Sequence, residues 1–374
     1  MAIQGTTGMS AESKPKPPDR SGILIVGGYG QVGRLIADRL APLFPGRVII
    51  AGRRFDKAEA AATGIAHGVK ARALDIFAAD SQCALDDVAL VLVCLDQTDT
   101  RFVEQCLSRG LHYVDISADH SFLSKVEKLD DLAKHNGSTA MLSVGTAPGL
   151  TNLLAGRAGG MMERLDRIDI LLEFGLGDHH GQTAVEWMFD NLDATYEVTE
   201  KGRAKSVRSF GDSINIRLPG QKNERPAYRF NFSDQHVLGR TLDVPSVSTW
   251  IRFDGRVSTW LFAKLSRAGL GRLLRRPLWR KIAVWLFMNV HMGSDMCGVA
   301  VRAGGRAMNG SKNLTIGVTG RKEALMTAII AAETARQILS TNLEPGVFHS
   351  EQAIALDPVI SALKKDVPNL VVTL

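Results

Sequence analysis

The chain has 374 residues, 45% of them hydrophobic and 22% charged, so it can bury a large core and is too long for one average domain. Its most apolar run, IAVWLFMNV at 282–290, is far shorter than the roughly 20 residues of a membrane-spanning helix, which excludes an integral membrane protein. The formal net charge of +6 is concentrated in residues 255–294, which contain eight Lys or Arg and no Asp or Glu.

Residues 1–20 contain polar residues, prolines and lysines but no apolar core segment, so they predict a disordered leader instead of a signal peptide. The four cysteines, Cys83, Cys94, Cys106 and Cys297, have the spacing of neither a zinc site nor a disulfide framework. We therefore expect reduced thiols and a cytoplasmic protein.

Strand-like and helix-like segments alternate from residue 22 to about 150. Runs such as ILIV, RVIIA and ALVLVC are largely or wholly apolar, as strands covered on both faces are, and amphipathic segments of helix length separate them. This order predicts right-handed βαβ crossovers and an α/β fold with a doubly wound, parallel Rossmann sheet. We place this first domain at residues 21–150.

The pattern changes after about residue 160. Longer stretches such as RIDILLEF, TWIRFDG and NLTIGVTGR alternate apolar and polar residues. They predict an antiparallel or mixed sheet with one solvated face, in a second domain. The segment KEALMTAIIAAETARQILS predicts a long helix, and the remaining tail predicts a turn and a short helix.

A glycine-rich loop joins the first strand to the first helix. It fits the pattern G-x-G-x-x-G, in which the first glycine permits a tight turn and the second lets backbone N–H groups approach a pyrophosphate. The third glycine lets the helix and the strand pack closely. The motif predicts a dinucleotide cofactor held by Gly28, Tyr29, Gly30, Gln31, Val32 and Gly33.

Two further strands end in residues suited to the same cofactor. Arg53 and Arg54 follow the second strand, where an acidic residue would bind a free ribose 2′-hydroxyl. Two guanidiniums match a 2′-phosphate instead, so NADP is preferred over NAD. Cys94 ends the strand ALVLVC and Gln97 follows it; both are expected to line the cofactor, although Cys94 is also explained as a packing residue.

Five segments form a recognisable set: GGYGQVGRLIADRL, AGR, CLSRGLHYVDIS, GTAPGLTNLLA and TARQILSTNLEPGVFHSEQ. Together they resemble the saccharopine dehydrogenase-like family of NAD(P)-dependent oxidoreductases, of the saccharopine reductase and carboxynorspermidine dehydrogenase type. The resemblance is strong over 22–156 and recurs over 314–352. It implies an inserted α/β substrate and dimerisation domain at 151–321, C-terminal helices at 322–374 that return to the Rossmann domain, and a homodimer.

The resemblance also implies that the glycine loop, Arg53, Asp115 and the GTAPGL turn line the cofactor and the mouth of the substrate cleft. The residues of that turn support part of this independently, because the turn follows a strand and precedes a helix whose free N–H groups suit a carboxylate or a nicotinamide carbonyl. A loop that joins two domains explains the turn equally well. The candidate residues are Gly145, Thr146, Ala147 and Pro148.

Imine reduction, which the resemblance implies, needs a proton relay and cations for substrate carboxylates. Asp115, at the carboxyl end of a strand, is the first candidate, with a turn or helix-capping role as the alternative. The same segment, HYVDISADH, also offers His112, Tyr113, Asp119 and His120. His179 and His180 lie on a glycine-rich loop and are either further relay candidates or uninvolved, exposed histidines. No other ligand cluster accompanies them, so no metal is expected.

Residues 259–293 mix Trp, Leu and Phe with Arg and Lys and are interrupted at Pro277. They predict two helices hinged at that proline, the first of them amphipathic. We favour a helix pair at a domain or dimer interface with solvated arginines. A peripheral membrane contact and a surface that attracts an anionic substrate are the alternatives, and nucleic acid is not expected.

These features together predict an NADP-dependent oxidoreductase. The expected reaction is hydride transfer to or from a C–N centre, an imine or secondary amine, of a small amino-acid-like substrate that carries a carboxylate. One alternative is a reductase that acts on a lipid or enoyl substrate at a membrane surface. Another is a non-catalytic NADP-binding sensor or scaffold.

Overall fold

The computed structural model describes residues 20–78, 84–178, 181–289, 293–308 and 310–374. Nearly all of the predicted leader, 1–20, lies outside the described residues, as do Cys83 and the two candidate histidines His179 and His180. The described residues form two large sheets and a small hairpin sheet, with helices packed around them.

The strands are numbered in chain order. They are β1 Gly22–Val26, β2 Val48–Gly52, β3 Lys70–Ala73, β4 Val88–Val93, β5 His112–Asp115, β6 Thr139–Leu142, β7 Arg164–Phe174, β8 Thr195–Glu200, β9 Arg203–Arg208, β10 Ser213–Ile216, β11 Arg225–Arg229, β12 Val247–Phe253, β13 Met296–Ala307, β14 Gly310–Arg321, β15 Gly346–His349 and β16 Val371–Thr373.

The helices are numbered in the same way. They are α1 Gln31–Leu40, α2 Phe55–Thr63, α3 Arg101–Ser108, α4 His120–Val126, α5 Asp130–His135, α6 Thr151–Gly159, α7 Gln182–Asp190, α8 Asp234–Thr241, α9 Arg256–Arg267, α10 Leu270–Leu274, α11 Pro277–Asn289, α12 Glu323–Ser340, α13 Ser350–Ala353 and α14 Leu356–Asp366.

The first sheet has the strand order β15-β6-β5-β4-β1-β2-β3, and every neighbouring pair is parallel. Its strand order from β3 to β6 is that of a Rossmann fold. Alternate residues of the central strands enter two different apolar cores: Ile23 and Leu90 face one, and Leu24 and Val91 the other. The predicted α/β fold, with a parallel sheet covered on both faces, is therefore confirmed.

The second sheet has the order β10-β11-β12-β7-β13-β14-β16. Strands β12 and β7 are parallel and the other pairs are antiparallel, which confirms the predicted mixed sheet. The prediction of one solvated face is wrong for the central strands, because all seven residues of β12 are buried. One face packs on α6 and α8, while the other buries Trp250 and Leu171 together with an Arg252–Glu173 ion pair.

The tail differs from its prediction as a turn and a short helix. Strand β15 extends the first sheet beside β6, and β16 extends the second beside β14, so the tail returns to both sheets. These strands have only four and three residues, which is too short for a periodic pattern in the sequence. The domain limits at 21–150, 151–321 and 322–374 stay predictions.

The basic, apolar segment forms three helices where two were predicted. Helix α11 begins at Pro277, the predicted hinge, and the short α10 separates it from α9. Within the described residues, no helix combines the length and the apolar character that crossing a membrane would require.

Candidate functional site

The carboxyl ends of all seven parallel strands of the first sheet meet at one edge. The glycine loop follows β1, the two arginines follow β2, Cys94 and Gln97 follow β4, and Asp115 ends β5. The GTAPGL turn follows β6 at the same edge. The fold therefore brings together every predicted site residue that the structure describes, at the edge where open α/β sheets bind ligands.

The backbone of the glycine loop packs so closely on the neighbouring backbone that two of its glycines have no room for a side chain. A Cβ atom at Gly33 would lie 2.6 Å from the Gly27 carbonyl oxygen, and one at Gly28 would lie 2.8 Å from the Ile25 carbonyl oxygen. A Cβ at Gly30 would meet only the Gly27 oxygen, at 3.1 Å. Gly28 and Gly33 are thus required for packing, whereas Gly30 keeps the approach to the loop open.

The N-terminus of α1 is suited to an anion. Gly30 caps the helix without a side-chain hydrogen bond, and the first turn contains no acidic residue. The first-turn N–H groups of a helix have no intrahelical acceptors, and the helix dipole is positive at this end. A pyrophosphate bound here would meet N–H donors without carboxylate repulsion.

The two predicted arginines differ in their surroundings. Arg54 forms an ion pair with Asp56, with a distance of 3.0 Å between guanidinium and carboxylate. Arg53 is exposed and makes no hydrogen bond or ion pair with any residue that the structure describes. The ring of Tyr29 lies against Gly52, where a Cβ would come within 2.3 Å of it, so the glycine loop contacts the end of β2 directly.

The end of β4 is tied to the neighbouring strands by a buried network. Gln97 Nε2 donates to Tyr113 Oη at 2.6 Å and to Asp115 Oδ2 at 2.9 Å. The amide oxygen of Gln97 is buried and accepts no hydrogen bond from any described residue. The segment that carries Gln97 begins beside the end of β1, where the backbone N–H of Cys94 donates to the Val26 carbonyl oxygen.

Asp115 is fully buried, and both of its carboxylate oxygens accept hydrogen bonds from the protein. Tyr113 and Gln97 donate to Oδ2, and the Ser117 N–H donates to Oδ1 at 2.6 Å. Burial raises the pKa of Asp115 to about 6, against the opposing effect of these hydrogen bonds. The Ser117 contact is the turn role that the sequence left as the alternative. Burial also raises the pKa of the Cys94 thiol, which is consistent with its packing role.

Three backbone N–H groups of the GTAPGL turn are already paired within the protein, and the free N–H groups predicted at the start of the helix that follows stay a prediction. The Thr146 N–H donates to Thr327 Oγ1 on α12, the Gly149 N–H to Asn152 Oδ1, and the Leu150 N–H to the Gly145 carbonyl. These donors are satisfied because α12 and α6 pack directly on the turn. The turn instead shapes the edge, where α8 contacts it from the second sheet.

A histidine pair faces this edge. The rings of His120, at the start of α4, and His236, on α8, stack with centroids 4.5 Å apart. Burial, followed by the charges of His120 and Arg240, lowers the pKa of His236 to about 4, and burial also lowers the pKa of His120. His236 Nε2 is 2.7 Å from Asn231 Oδ1, so this nitrogen carries the proton of the neutral ring.

A second contact holds α8 against the first sheet. Glu127, in the turn after α4, accepts hydrogen bonds from Arg240 at 2.8 Å and from His349 Nε2 at 2.9 Å. The other nitrogen of His349 is 2.8 Å from Ser143 Oγ, at the end of β6. The His349 ring therefore links Glu127 to Ser143 through its two nitrogens.

The residues that sequence reasoning missed lie in the middle third of the chain. His236, Asn231 and Arg240 come from the segment NFSDQHVLGRT, in which no motif or periodicity marks them. Their only signal is that His and Arg four residues apart share one helix face, which is common on surfaces. His179 and His180 lie outside the described residues, so their prediction stays a prediction.

A nicotinamide dinucleotide fits this edge. The glycine cradle and the start of α1 provide N–H donors after β1. On either side of them lie Arg53, after β2, and the amide oxygen of Gln97, after β4, neither of which has a partner among the described residues. Among the described residues, no three His, Cys, Asp or Glu side chains form a group that could hold a metal ion.

Comparisons with known proteins agree with this geometry. The family model for the saccharopine dehydrogenase NADP binding domain matches residues 23–141. Saccharopine dehydrogenase (L-Glu forming) from Saccharomyces cerevisiae is similar in fold, with a TM-score of 0.66 and 14% identity over 94% of this chain and 99% of that chain. No curated protein matches the chain in sequence.

Two other solved structures are more distant. DAP dehydrogenase from C. glutamicum, in complex with DAP, has a TM-score of 0.46 and 14% identity over 93% of this chain and 99% of that chain. An engineered D-amino acid dehydrogenase bound to NADP+ has a TM-score of 0.45 and 14% identity over the same shares. Residues 23–141 therefore match a saccharopine dehydrogenase NADP binding domain, and the fold of the chain is similar to that of saccharopine dehydrogenase.

Proposed function

We propose that this protein transfers a hydride between NADP and the carbon of a C–N bond, in an imine or secondary amine of a small amino-acid-like substrate. The observation that carries the proposal is the His120–His236 pair, because it places two ionisable rings where the nucleotide-binding edge meets the second sheet. Saccharopine dehydrogenase, a solved structure with a similar fold, is named for an amino-acid-like substrate and supports this class.

The preference for NADP is supported by Arg53. Its exposed guanidinium has no partner among the described residues and lies beyond β2, where the 2′-phosphate of the adenosine ribose would be bound. Arg54 is a weaker candidate because Asp56 already holds it. Gly30, the start of α1 and the amide oxygen of Gln97 would hold the pyrophosphate and the nicotinamide half.

The bound cofactor supplies the hydride chemistry. The protein must move protons, because an imine forms from a carbinolamine only when the departing hydroxyl is protonated. Their lowered pKa values keep both rings of the histidine pair neutral near pH 7, so each ring has one N–H donor and one acceptor nitrogen. The pair is suited to receive a proton from the amine and to return it to the carbinolamine oxygen.

A carboxylate on the substrate is supported by one cation near the pair. Arg240 lies one turn beyond His236 on α8, where Glu127 already orients it. A substrate carboxylate beside it would fix the reacting carbon in orientation.

The other predicted relay residues take different places in the proposal. Asp115 positions Gln97 and Tyr113, because its carboxylate is satisfied within the protein. His179 and His180 precede α7 and remain candidate substrate contacts. Homodimerisation and a cytoplasmic location remain expectations from the sequence.

The experiment is a screen of keto acids and aldehydes, each paired with amines, for NADPH oxidation, with the secondary-amine product identified by mass spectrometry. The reactive pair should incorporate one deuterium from 4-deuterated NADPH. The H120Q and H236Q variants should bind NADPH normally and lose at least 100-fold in turnover, whereas H135Q, at an exposed position, should not. NADPH binding without turnover of any pair would favour the sensor or scaffold alternative.

A second candidate function, reduction of a lipid or enoyl substrate at a membrane surface, is favoured by the outward apolar faces of α9 and α11. It predicts NADPH oxidation only when the acceptor is presented in vesicles. Turnover of a water-soluble imine in their absence would argue against it.

A further inference from the structure

The large apolar side chains of helix α9 face solvent, whereas its small residues face the rest of the protein. Val257, Trp260, Leu261 and Leu265 recur at helical spacing and are all exposed, Val257 to 76% and Trp260 to 55%. The side of α9 that faces the protein carries small residues instead, among them Thr259, which bonds the carbonyls of β12 and of residue 255. Amphipathic surface helices normally bury their large apolar residues.

Helix α11 shows the same inversion. Leu278, Ile282 and Trp285 lie at positions i, i+4 and i+7 and are exposed, Trp285 to 61%. No residue of α11 is fully buried. Its inner side is fixed to α7 by an Arg280–Asp190 ion pair and by an edge contact between Phe287 and Phe189, with ring centroids 5.8 Å apart.

The exposed apolar side chains of α9, α10 and α11 form what we call the outer surface. It contains ten of the 17 large apolar side chains that are exposed in the described residues, including Trp260, Trp279 and Trp285. Water-exposed apolar area of this concentration is unusual on a monomeric protein and marks an interaction surface.

The segment that forms the outer surface carries charges of one sign, although Asp193 and Asp190 from outside it pair with Arg275 and Arg280. Residues 255–294 contain eight Lys or Arg and no Asp or Glu. Four residues have exposed side chains that form no hydrogen bond or ion pair within the part of the chain that the structure describes: Arg256, Arg272, Arg276 and Lys281. Lys264 lies over the Trp260 ring at 5.7 Å, so a cation and an indole are paired on the surface itself.

We infer that the outer surface docks on an anionic lipid bilayer, with the three tryptophans in the headgroup layer and the free cations on lipid phosphates. An amphipathic helix with Trp and Leu on one side and Lys and Arg beside them has the composition of an interfacial membrane helix. A second copy of the chain fits less well, because an isologous contact would bring two unneutralised basic surfaces together.

In the docked protein, one helix, α7, would lie between the bilayer-facing α11 and the residues beside the candidate site. Helix α7 lies under α11, and its Trp187 packs edge-on against Phe230 and Phe232, which flank Asn231, the partner of His236. The inference concerns attachment to a surface and holds whether the substrate is dissolved or lipid-borne.

The test is co-sedimentation of the full chain with vesicles of phosphatidylcholine alone or with 30% phosphatidylglycerol. Binding should require phosphatidylglycerol and weaken with added salt. In the bound state, brominated lipids should quench the Trp fluorescence. The R272Q/R276Q/K281Q variant should bind on the order of 100-fold more weakly at low salt, because each lost cation near an anionic surface lowers affinity about fivefold. The K222Q/K364Q/K365Q variant removes the same charge elsewhere and should bind normally.

The W260Q/W285Q variant should lose binding at least 10-fold while retaining NADPH affinity, which is measured on the same samples. The inference is wrong if the wild-type chain fails to sediment with anionic vesicles or if its tryptophans are not quenched by brominated lipids. It is also wrong if ultracentrifugation finds a dimer that W260Q/W285Q dissociates while vesicles remain unbound.

Discussion

The imidazole rings of His120 and His236 stack with centroids 4.5 Å apart and planes inclined by 22°. One ring belongs to the edge of the first sheet and the other to a helix that packs on the second, so the stack is also a contact between the two halves of the site. Two adjacent rings cannot both carry a proton in such surroundings without strong repulsion.

The titration of His236 should therefore depend on its neighbours. In the wild-type protein its ring should titrate near pH 4, mainly because it is buried, and the charges of His120 and Arg240 lower the pKa further. The H120Q and R240Q variants should each raise the pKa of His236 toward the ordinary value. NMR of labelled histidine rings measures this, with H135Q as the control that leaves it unchanged. A wild-type value above 6.5 would contradict the burial argument.

The two arginines after β2 should differ in their effect on cofactor choice. R53S should lower NADPH affinity about 10- to 100-fold and leave NADH affinity unchanged, because charge-assisted hydrogen bonds contribute about 1.5–3 kcal/mol. R54S should change the NADPH to NADH ratio less than threefold, since Asp56 already occupies that guanidinium. Fluorescence titration with both nucleotides measures the ratio, and K57Q on α2 is the control. An unchanged ratio in R53S would remove the basis for NADP preference.

Substitutions of the cradle glycines should affect different properties, nucleotide affinity for Gly30 and stability for Gly33. G30A should keep the free energy of unfolding within about 1 kcal/mol, since only one oxygen lies near its Cβ, yet weaken NADPH binding at least 10-fold. G33A should destabilise the protein by about 1–3 kcal/mol, because its Cβ would overlap the Gly27 carbonyl. Urea denaturation and nucleotide titration separate the two effects. Equal nucleotide affinity in G30A and the wild type would place the pyrophosphate elsewhere.

Much of the first sheet could be predicted because its strands are mostly apolar and glycines mark the first turn. The same signal located Arg53, Gln97 and Asp115 at strand ends, where the fold collects them. Their actual contacts could not be predicted. Asp115 accepts a hydrogen bond from Gln97 because β4 and β5 are neighbours in register, which a single strand pattern does not encode.

The second half of the chain was harder to predict for two reasons. His236 becomes a candidate site residue only because α8 packs beside α4, and these segments are far apart in the sequence. The periodicity of α9 predicted an amphipathic helix but could not tell which face turns inward, because that depends on the small hydrogen-bonding residues, such as Thr259, that meet the protein.

The buried ion pair of the second sheet should be sensitive to the loss of one partner. Arg252 is fully buried and bonds Glu173 as well as the carbonyl oxygens of Ile216 and Arg225. E173A should lower the free energy of unfolding by about 3–5 kcal/mol, because it leaves a buried guanidinium unpaired. E173L/R252M removes both charges and should regain at least half of that loss in urea denaturation. A double variant as unstable as E173A would show that packing, and not the stranded charge, causes the loss.

Glu127 should make the contact between the two halves of the site sensitive to acid. Although burial opposes it, hydrogen bonds from His349 and Arg240 lower the pKa of Glu127 from 4.5 to about 2. A carboxyl group whose pKa falls on folding stabilises the protein at pH values above its pKa in the unfolded state, and that stability is lost as the pH falls from about 4.5 toward 2.

E127Q should therefore cost on the order of 2 kcal/mol in the free energy of unfolding at pH 7, and the variant and wild-type curves should converge near pH 2. Guanidinium denaturation between pH 7 and pH 2 measures the difference, and E59Q, at an exposed position on α2, is the control. A constant difference across that range would mean that E127Q acts through lost packing, with no contribution from ionisation of Glu127.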